Sequence, residues 1–178
     1  HQVMDFAYQV GNALDFLHMR DIIFHDLNPS NIIITPDGSL KLTDYGLGKI
    51  LARNEPNQPR WGTIGYGPPE QIGEDATLTE GCDVYALGVV MHQMLTFWEP
   101  SVSRGVIPPV RKLNPEVSED MEMLIINATH HDPALRYPTI HAFMKDLRKI
   151  LKMKPTIDKQ QETWLQKLAR DISKPFTQ

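Results

Sequence analysis

The chain has 178 residues, 41% of them hydrophobic and 22% charged, with a formal net charge of -4, which is one domain's worth of sequence and enough to bury a proper core. The mild acidity gives no argument for nucleic-acid binding, no run approaches the roughly 18 apolar residues that a membrane span needs, and no signal-peptide pattern is present. The single cysteine, Cys82, excludes an internal disulfide and fits a reducing, cytosolic setting.

The sequence opens on His1 rather than Met and already inside a helical pattern, so its N-terminus reads as cut from something longer. Val3, Phe6, Ala7, Val10, Ala13, Leu14 and Leu17 recur at helical spacing and predict a helix that ends before Asp21. Ile22-Ile23-Phe24 is a short apolar run leading into the polar loop His25 to Asn31. Ile32 to Ile34 and Leu40 to Leu42 are two further short runs, separated by Thr35-Pro36-Asp37-Gly38-Ser39. Proline at the second and glycine at the fourth turn position suit a type I geometry, so the runs should pair antiparallel. With Ile34 opposite Leu40, Asn31 falls opposite Thr43, and Asp44 lies one residue on. An amide and a carboxylate then meet at the open end of the hairpin, and Asp26, five positions before Asn31, faces the same spot. Such a set suits a hard divalent cation like Mg²⁺, which takes one or two protein oxygens and fills the rest of its shell with water and phosphate.

Asn54 to Arg60 is polar and proline-rich, a predicted surface loop, and no Ser, Thr or Tyr occurs between Leu47 and Gly62. Gly62-Thr63-Ile64-Gly65-Tyr66-Gly67-Pro68-Pro69-Glu70 closes that stretch. Asp83 to Leu95 is apolar almost all round and predicts a buried central helix, with Asp83 placed to cap its first amides. Trp98 to Pro115 holds four of the fourteen prolines and reads as irregular surface structure. Ser118 should cap a helix that buries Met121, Leu124, Ile125 and Ala128, and Thr139 another that turns Ile140, Phe143, Met144, Leu147, Ile150 and Leu151 inward. Residues 152–178 turn basic and amphipathic, with Trp164, Leu165, Leu168 and Ile172 in one stripe among Lys167, Arg170 and Lys174, and read as a tail helix or linker.

The order Asp26, Asn31, then Asp44-Tyr45-Gly46 resembles the catalytic loop and metal motif of protein kinases, His-Arg-Asp-Leu-Lys-Pro-x-Asn followed by Asp-Phe-Gly. Gly62 to Glu70 is similar to the family's peptide-holding segment, Asp83 to the aspartate that pins the catalytic loop's backbone, and Asp132 to Pro138 to the turn whose arginine pairs with the segment's glutamate, here Arg136 with Glu70. The resemblance spans residues 1 to about 150 and looks most like bacterial serine/threonine kinases. It implies Asp26 as catalytic base, Asn31 and Asp44 as Mg²⁺ ligands, Thr63 as a bridge to Asp26, and transfer of the ATP γ-phosphoryl to a protein Ser or Thr. Phe24, His25, Asn28 and Tyr45 stand where the family has His, Arg, Lys and Phe. Phe24 is expected to stack near Tyr45. Asn28 can donate a hydrogen bond but no charge. His25 lacks the charge that pairs with a loop phosphate, and the loop lacks an acceptor for one, so control by loop phosphorylation is not expected.

The implied fold is mainly helical with a small β-hairpin: a kinase-like C-terminal lobe over residues 1–151, with a tail over 152–178. The Gly-rich loop, the strand lysine and its helix glutamate would all precede His1, so the implied partners are ATP, a protein substrate and an N-terminal lobe in cis. The competing reading is a kinase fold without catalysis, a scaffold that binds protein partners. A metal phosphohydrolase using His25-Asp26 with His92, His130, His131 or His141 needs that pair on helices, whereas Ile22 to Phe24 and Pro29 argue for a loop. The scattered histidines read as surface or capping groups.

Overall fold

The computed structural model describes residues 2–43, 51–52, 62–71, 79–102 and 106–151. Helix α1, Gln2–His18, buries Phe6, Ala7, Val10, Ala13, Leu14 and Leu17, the face its periodicity predicts. Burying such a stripe, rather than intrinsic propensity, supplies most of a helix's stability. Strand β1, Ile22–Ile23, follows and pairs antiparallel with β4, Leu51–Ala52. Two residues carry no readable period, so nothing in the sequence marks β4.

Strands β2, Ile32–Ile34, and β3, Leu40–Leu42, form the predicted hairpin in the predicted register, Ile34 opposite Leu40 and Ile32 opposite Leu42. The Gly38 amide donates to the Thr35 carbonyl at 2.9 Å, and Gly38 takes a φ of 81°, which a side chain would resist. The Thr35 hydroxyl and Ser39 bond the Asp37 carboxylate across the turn and hold its pKa below the ordinary value. β3 turns Leu40 and Leu42 into the core and β2 packs Ile32 against it, whereas Ile33 and Ile34 are 50% and 67% exposed.

Helix α2, Glu80–Thr96, begins three residues before the predicted start, and every residue from Gly81 to His92 is buried. Phe97 ends it in the left-handed conformation, its amide on the Gln93 carbonyl. The segment read as irregular contains a short helix, α3, Val110–Leu113, anchored by buried Val110. Helices α4, Glu119–Ala128, and α5, Ile140–Leu151, start where predicted: Ser118 accepts the Met121 amide and Thr139 the Ala142 amide. Helices α1, α4 and α5 pack around α2, and the loop from Phe24 to Asn31 lies over the start of that central helix. Among the described residues no helix is long and apolar enough to cross a membrane. The tail over 152–178 and the loop Asn54 to Arg60 lie outside the described residues.

His92 is fully buried, which corrects its reading as a surface or capping group: its place on the buried central helix overrides a polar label, with the Thr96 hydroxyl 3.2 Å from Nδ1. Its Nε2 sits 2.7 Å from the Pro108 carbonyl, and its ring meets Trp98 edge-on. Burial lowers the pKa of the imidazole from its ordinary 6.5, against the opposing pull of that carbonyl. The unfolded chain therefore binds a proton at His92 that the fold resists, so this contribution is complete above pH 6.5 and is lost as pH falls toward the lower folded value. Urea unfolding should give a lower midpoint at pH 5.5 than at pH 7.5, and His92→Gln should flatten part of that dependence; an unchanged pH dependence in the variant would contradict the assignment.

Candidate active site

The site is assembled where the β1–β2 connection, the hairpin and the Gly62–Gln71 segment converge on the start of α2. Asp83 is fully buried, and its carboxylate accepts the Phe24 amide at 2.8 Å and the His25 amide at 2.7 Å. His18, the last residue of α1, reaches the same carboxylate through Nε2 at 2.7 Å, with Glu80 3.3 Å from its other ring nitrogen. Asp83 lies within α2 rather than at its cap, so its acceptors serve the loop and not its own helix. Phe24 is buried in the core. His25 has a φ of 72°, a left-handed conformation that costs a non-glycine residue roughly 1–3 kcal/mol and persists only when its surroundings over-determine it.

That turn presents Asp26. Its Oδ1 accepts the Thr63 amide at 2.9 Å and the Thr63 hydroxyl at 2.8 Å, while Asn31 Nδ2 donates to Oδ2 at 3.1 Å and to the Asp26 carbonyl at 2.8 Å. Asn28 is 3% exposed. Its amide nitrogen donates to the Asp26 carbonyl at 3.0 Å and to the Thr63 hydroxyl at 2.9 Å, and its Oδ1 accepts the Ser30 amide, capping the turn Pro29–Asn31. The Thr43 amide donates to the Asn31 carbonyl at 2.8 Å, which fixes the residue at the hairpin's open end.

Asp44, Tyr45 and Gly46 lie outside the described residues, and with them the expected contact of Phe24 with Tyr45. The part of a cation site that is described fits Mg²⁺: the Asn31 amide nitrogen is committed to Asp26, which leaves a carbonyl oxygen, a hard donor, as its ligand atom. No group of three or more His, Cys, Asp or Glu side chains that could hold a metal ion occurs among the described residues. His25 and Asp26 lie in a loop rather than on a helix. Burial pushes the Cys82 thiol up to about 12, so it is no nucleophile.

The Gly62–Gln71 segment is held from below. Arg136, its side chain fully buried, donates to both Glu70 oxygens, at 2.9 Å from Nη2, and also to the His130 and His131 carbonyls. Its guanidinium lies over the Tyr85 ring. Gly65 takes a φ of 92° hard against the Pro100 backbone, where no side chain would fit. Two residues of the site carry no sequence signal that would mark them: His18 under the loop, and Gln71, whose buried amide meets His25.

The family model of the protein kinase domain matches residues 1–155. The chain is 31% identical over 160 residues to the probable serine/threonine-protein kinase PknB of Lactococcus lactis, covering 82% of this chain and 25% of that protein. It is 28% identical over 160 residues to the serine/threonine-protein kinase PrkC of Bacillus subtilis, covering 83% and 24%. With the Aurora kinase of Saccharomyces cerevisiae it shares 32% over 136 residues, 72% of this chain and 37% of the relative. The chain thus spans about a quarter of the length of the two bacterial relatives.

Removing Glu70 strands a buried guanidinium that the His130 and His131 carbonyls only partly satisfy. Glu70→Ala should lower the unfolding free energy by about 3 kcal/mol, read from urea denaturation, whereas a loss below about 1 kcal/mol would place the pair among ordinary surface bridges.

Proposed function

We propose that this chain, which belongs to the protein kinase family, carries the C-terminal, catalytic-loop lobe of a serine/threonine kinase, over residues 1–151, with 152–178 as a tail or linker. The observation that carries the reading is the Asp26 carboxylate, gripped on one oxygen by the Thr63 amide and hydroxyl and on the other by Asn31. A threonine in that position, together with relatives named as serine/threonine kinases, supports Ser or Thr as acceptor.

Asp26 orients the acceptor hydroxyl and takes its proton. Thr63 keeps the carboxylate turned toward the peptide and ties it to the segment that holds the substrate. Asn31 and Asp44 would hold Mg²⁺, and bound Mg²⁺–ATP supplies the transferable phosphoryl group and the charge that neutralises it. Asn28 contributes no charge, and its amide nitrogen is spent on Asp26 and Thr63. The rate should therefore sit roughly 10²- to 10³-fold below that of a lysine-bearing site, by analogy with losing one transition-state donor. Ile33 and Ile34 of β2 are exposed, and an N-terminal lobe in cis is the partner this reading needs for ATP. A cytoplasmic setting follows from the same reading. The neutral Asn28 is also the specific observation that favours the second reading, a kinase-fold scaffold that binds partners without catalysis.

The two-lobe protein decides between them. It should show an Mg²⁺-dependent thermal shift with ATP and phosphorylate a Ser/Thr peptide, and Asp26→Asn should abolish transfer, by about 10³-fold or more, while keeping the shift. No shift and no autophosphorylation would leave the scaffold.

A further inference from the structure

His25 is held by more than Asp83. Gln71 is 6% exposed, and its Nε2 lies 2.7 Å from His25 Nδ1 and 3.3 Å from the His25 carbonyl. The second contact fixes the amide's orientation, because turning it over would set two acceptor oxygens against each other. Nδ1 is then an acceptor, and the ring proton sits on Nε2. On its other side Gln71 fills the concave face of the Gly62–Gly67 turn. Its Oε1 is buried without a partner, and a Cβ on Gly67 would come within 2.3 Å of it. Gln71 therefore touches both halves of the site: the residue whose left-handed φ aims Asp26, and the turn whose Thr63 grips Asp26.

We infer that Gln71 is a positioning residue, a neutral latch that joins the catalytic loop to the Gly62–Gln71 segment through His25 without a phosphate on the intervening loop. The chemistry is self-consistent. A guanidinium at position 25 would need an anion, and the stretch between Leu47 and Gly62 has no Ser, Thr or Tyr to supply one. An imidazole facing a carboxamide needs only a hydrogen bond, which the fold supplies. The link itself stands on geometry, and its consequence for turnover rests on the kinase reading.

The link is tested in the full chain by ¹⁵N NMR with labelled histidine. His25 should be locked as the Nε2–H tautomer, and Gln71→Met, which keeps length and removes the donor, should release the ring into tautomer exchange while His92 is unchanged. Finding Nδ1 protonated in the unsubstituted protein overturns the latch, however the variant folds. In the phosphatase-treated two-lobe protein, Gln71→Met should lower kcat for a Ser/Thr peptide roughly 10- to 100-fold. The His25→Leu, Gln71→Met double variant should lose little more than either single, as expected for partners in one link. Unchanged turnover in Gln71→Met, additive losses, or loss of the unsubstituted protein's activity on phosphatase treatment each overturn the positioning role. No transfer by the unsubstituted protein before phosphatase treatment would instead count against the kinase reading, and the imidazole spectrum alone would then decide the latch.

Discussion

One buried carboxylate organises this protein. Asp83 sits in the first turn of a helix with apolar neighbours all round, where an unpaired charge would be prohibitive. It is satisfied by the amides of Phe24 and His25 and by the His18 ring. The cost of burying the charge is thereby turned into a constraint on the loop. Two successive amides can meet one carboxylate only if the backbone bends sharply, and His25 takes the left-handed conformation that lets them do so. Asp26 emerges from that bend, and the hydrogen bonds of Asn28, Asn31 and Thr63 follow from where it emerges.

Around this anchor the site is built mostly of neutral groups. Asn28, His25 and Gln71 occupy the places between the loop and the Gly62–Gln71 segment, and their side chains bond backbone, one another's neutral groups and, from Asn28, the Asp26 carboxylate. The bidentate ion pair of Arg136 with Glu70 lies beneath the segment rather than beside Asp26. Neutral hydrogen bonds are individually modest, but in a buried network each missing partner strands another group. Rigidity here comes from neutral donors satisfying two buried carboxylates, Asp83 and Asp26.

Much of this architecture is legible in the amino-acid order, and for identifiable reasons. The hairpin register follows from Pro36 and Gly38, because side-chain alternation and turn chemistry leave few alternatives. The caps Ser118 and Thr139 follow from their hydroxyls standing directly before helical periods. Strand β4 is not legible, since two residues have no period. Neither the burial of His92 nor the α3 turn around Val110 is legible, because both depend on what packs against them. Gln71 and His18 escape for the same reason. A buried amide or imidazole looks like any other until the fold brings its partner within 3 Å. The role of Asp83 is legible in part: position alone reads as a cap of its own helix, whereas the family resemblance points to the loop, where its carboxylate accepts the Phe24 and His25 amides.

The dependence of the site on that carboxylate can be measured directly by amide hydrogen exchange at Phe24 and His25 in the unsubstituted chain and in Asp83→Asn. An asparagine retains one acceptor and adds a donor, so it cannot serve both amides. Protection at Phe24 and His25 should fall while the amides within α2 stay protected, which reports a loop released from an intact helix. Equal protection at Phe24 and His25 in both proteins would mean that something other than Asp83 shapes the loop, and would contradict its place as the anchor of the site.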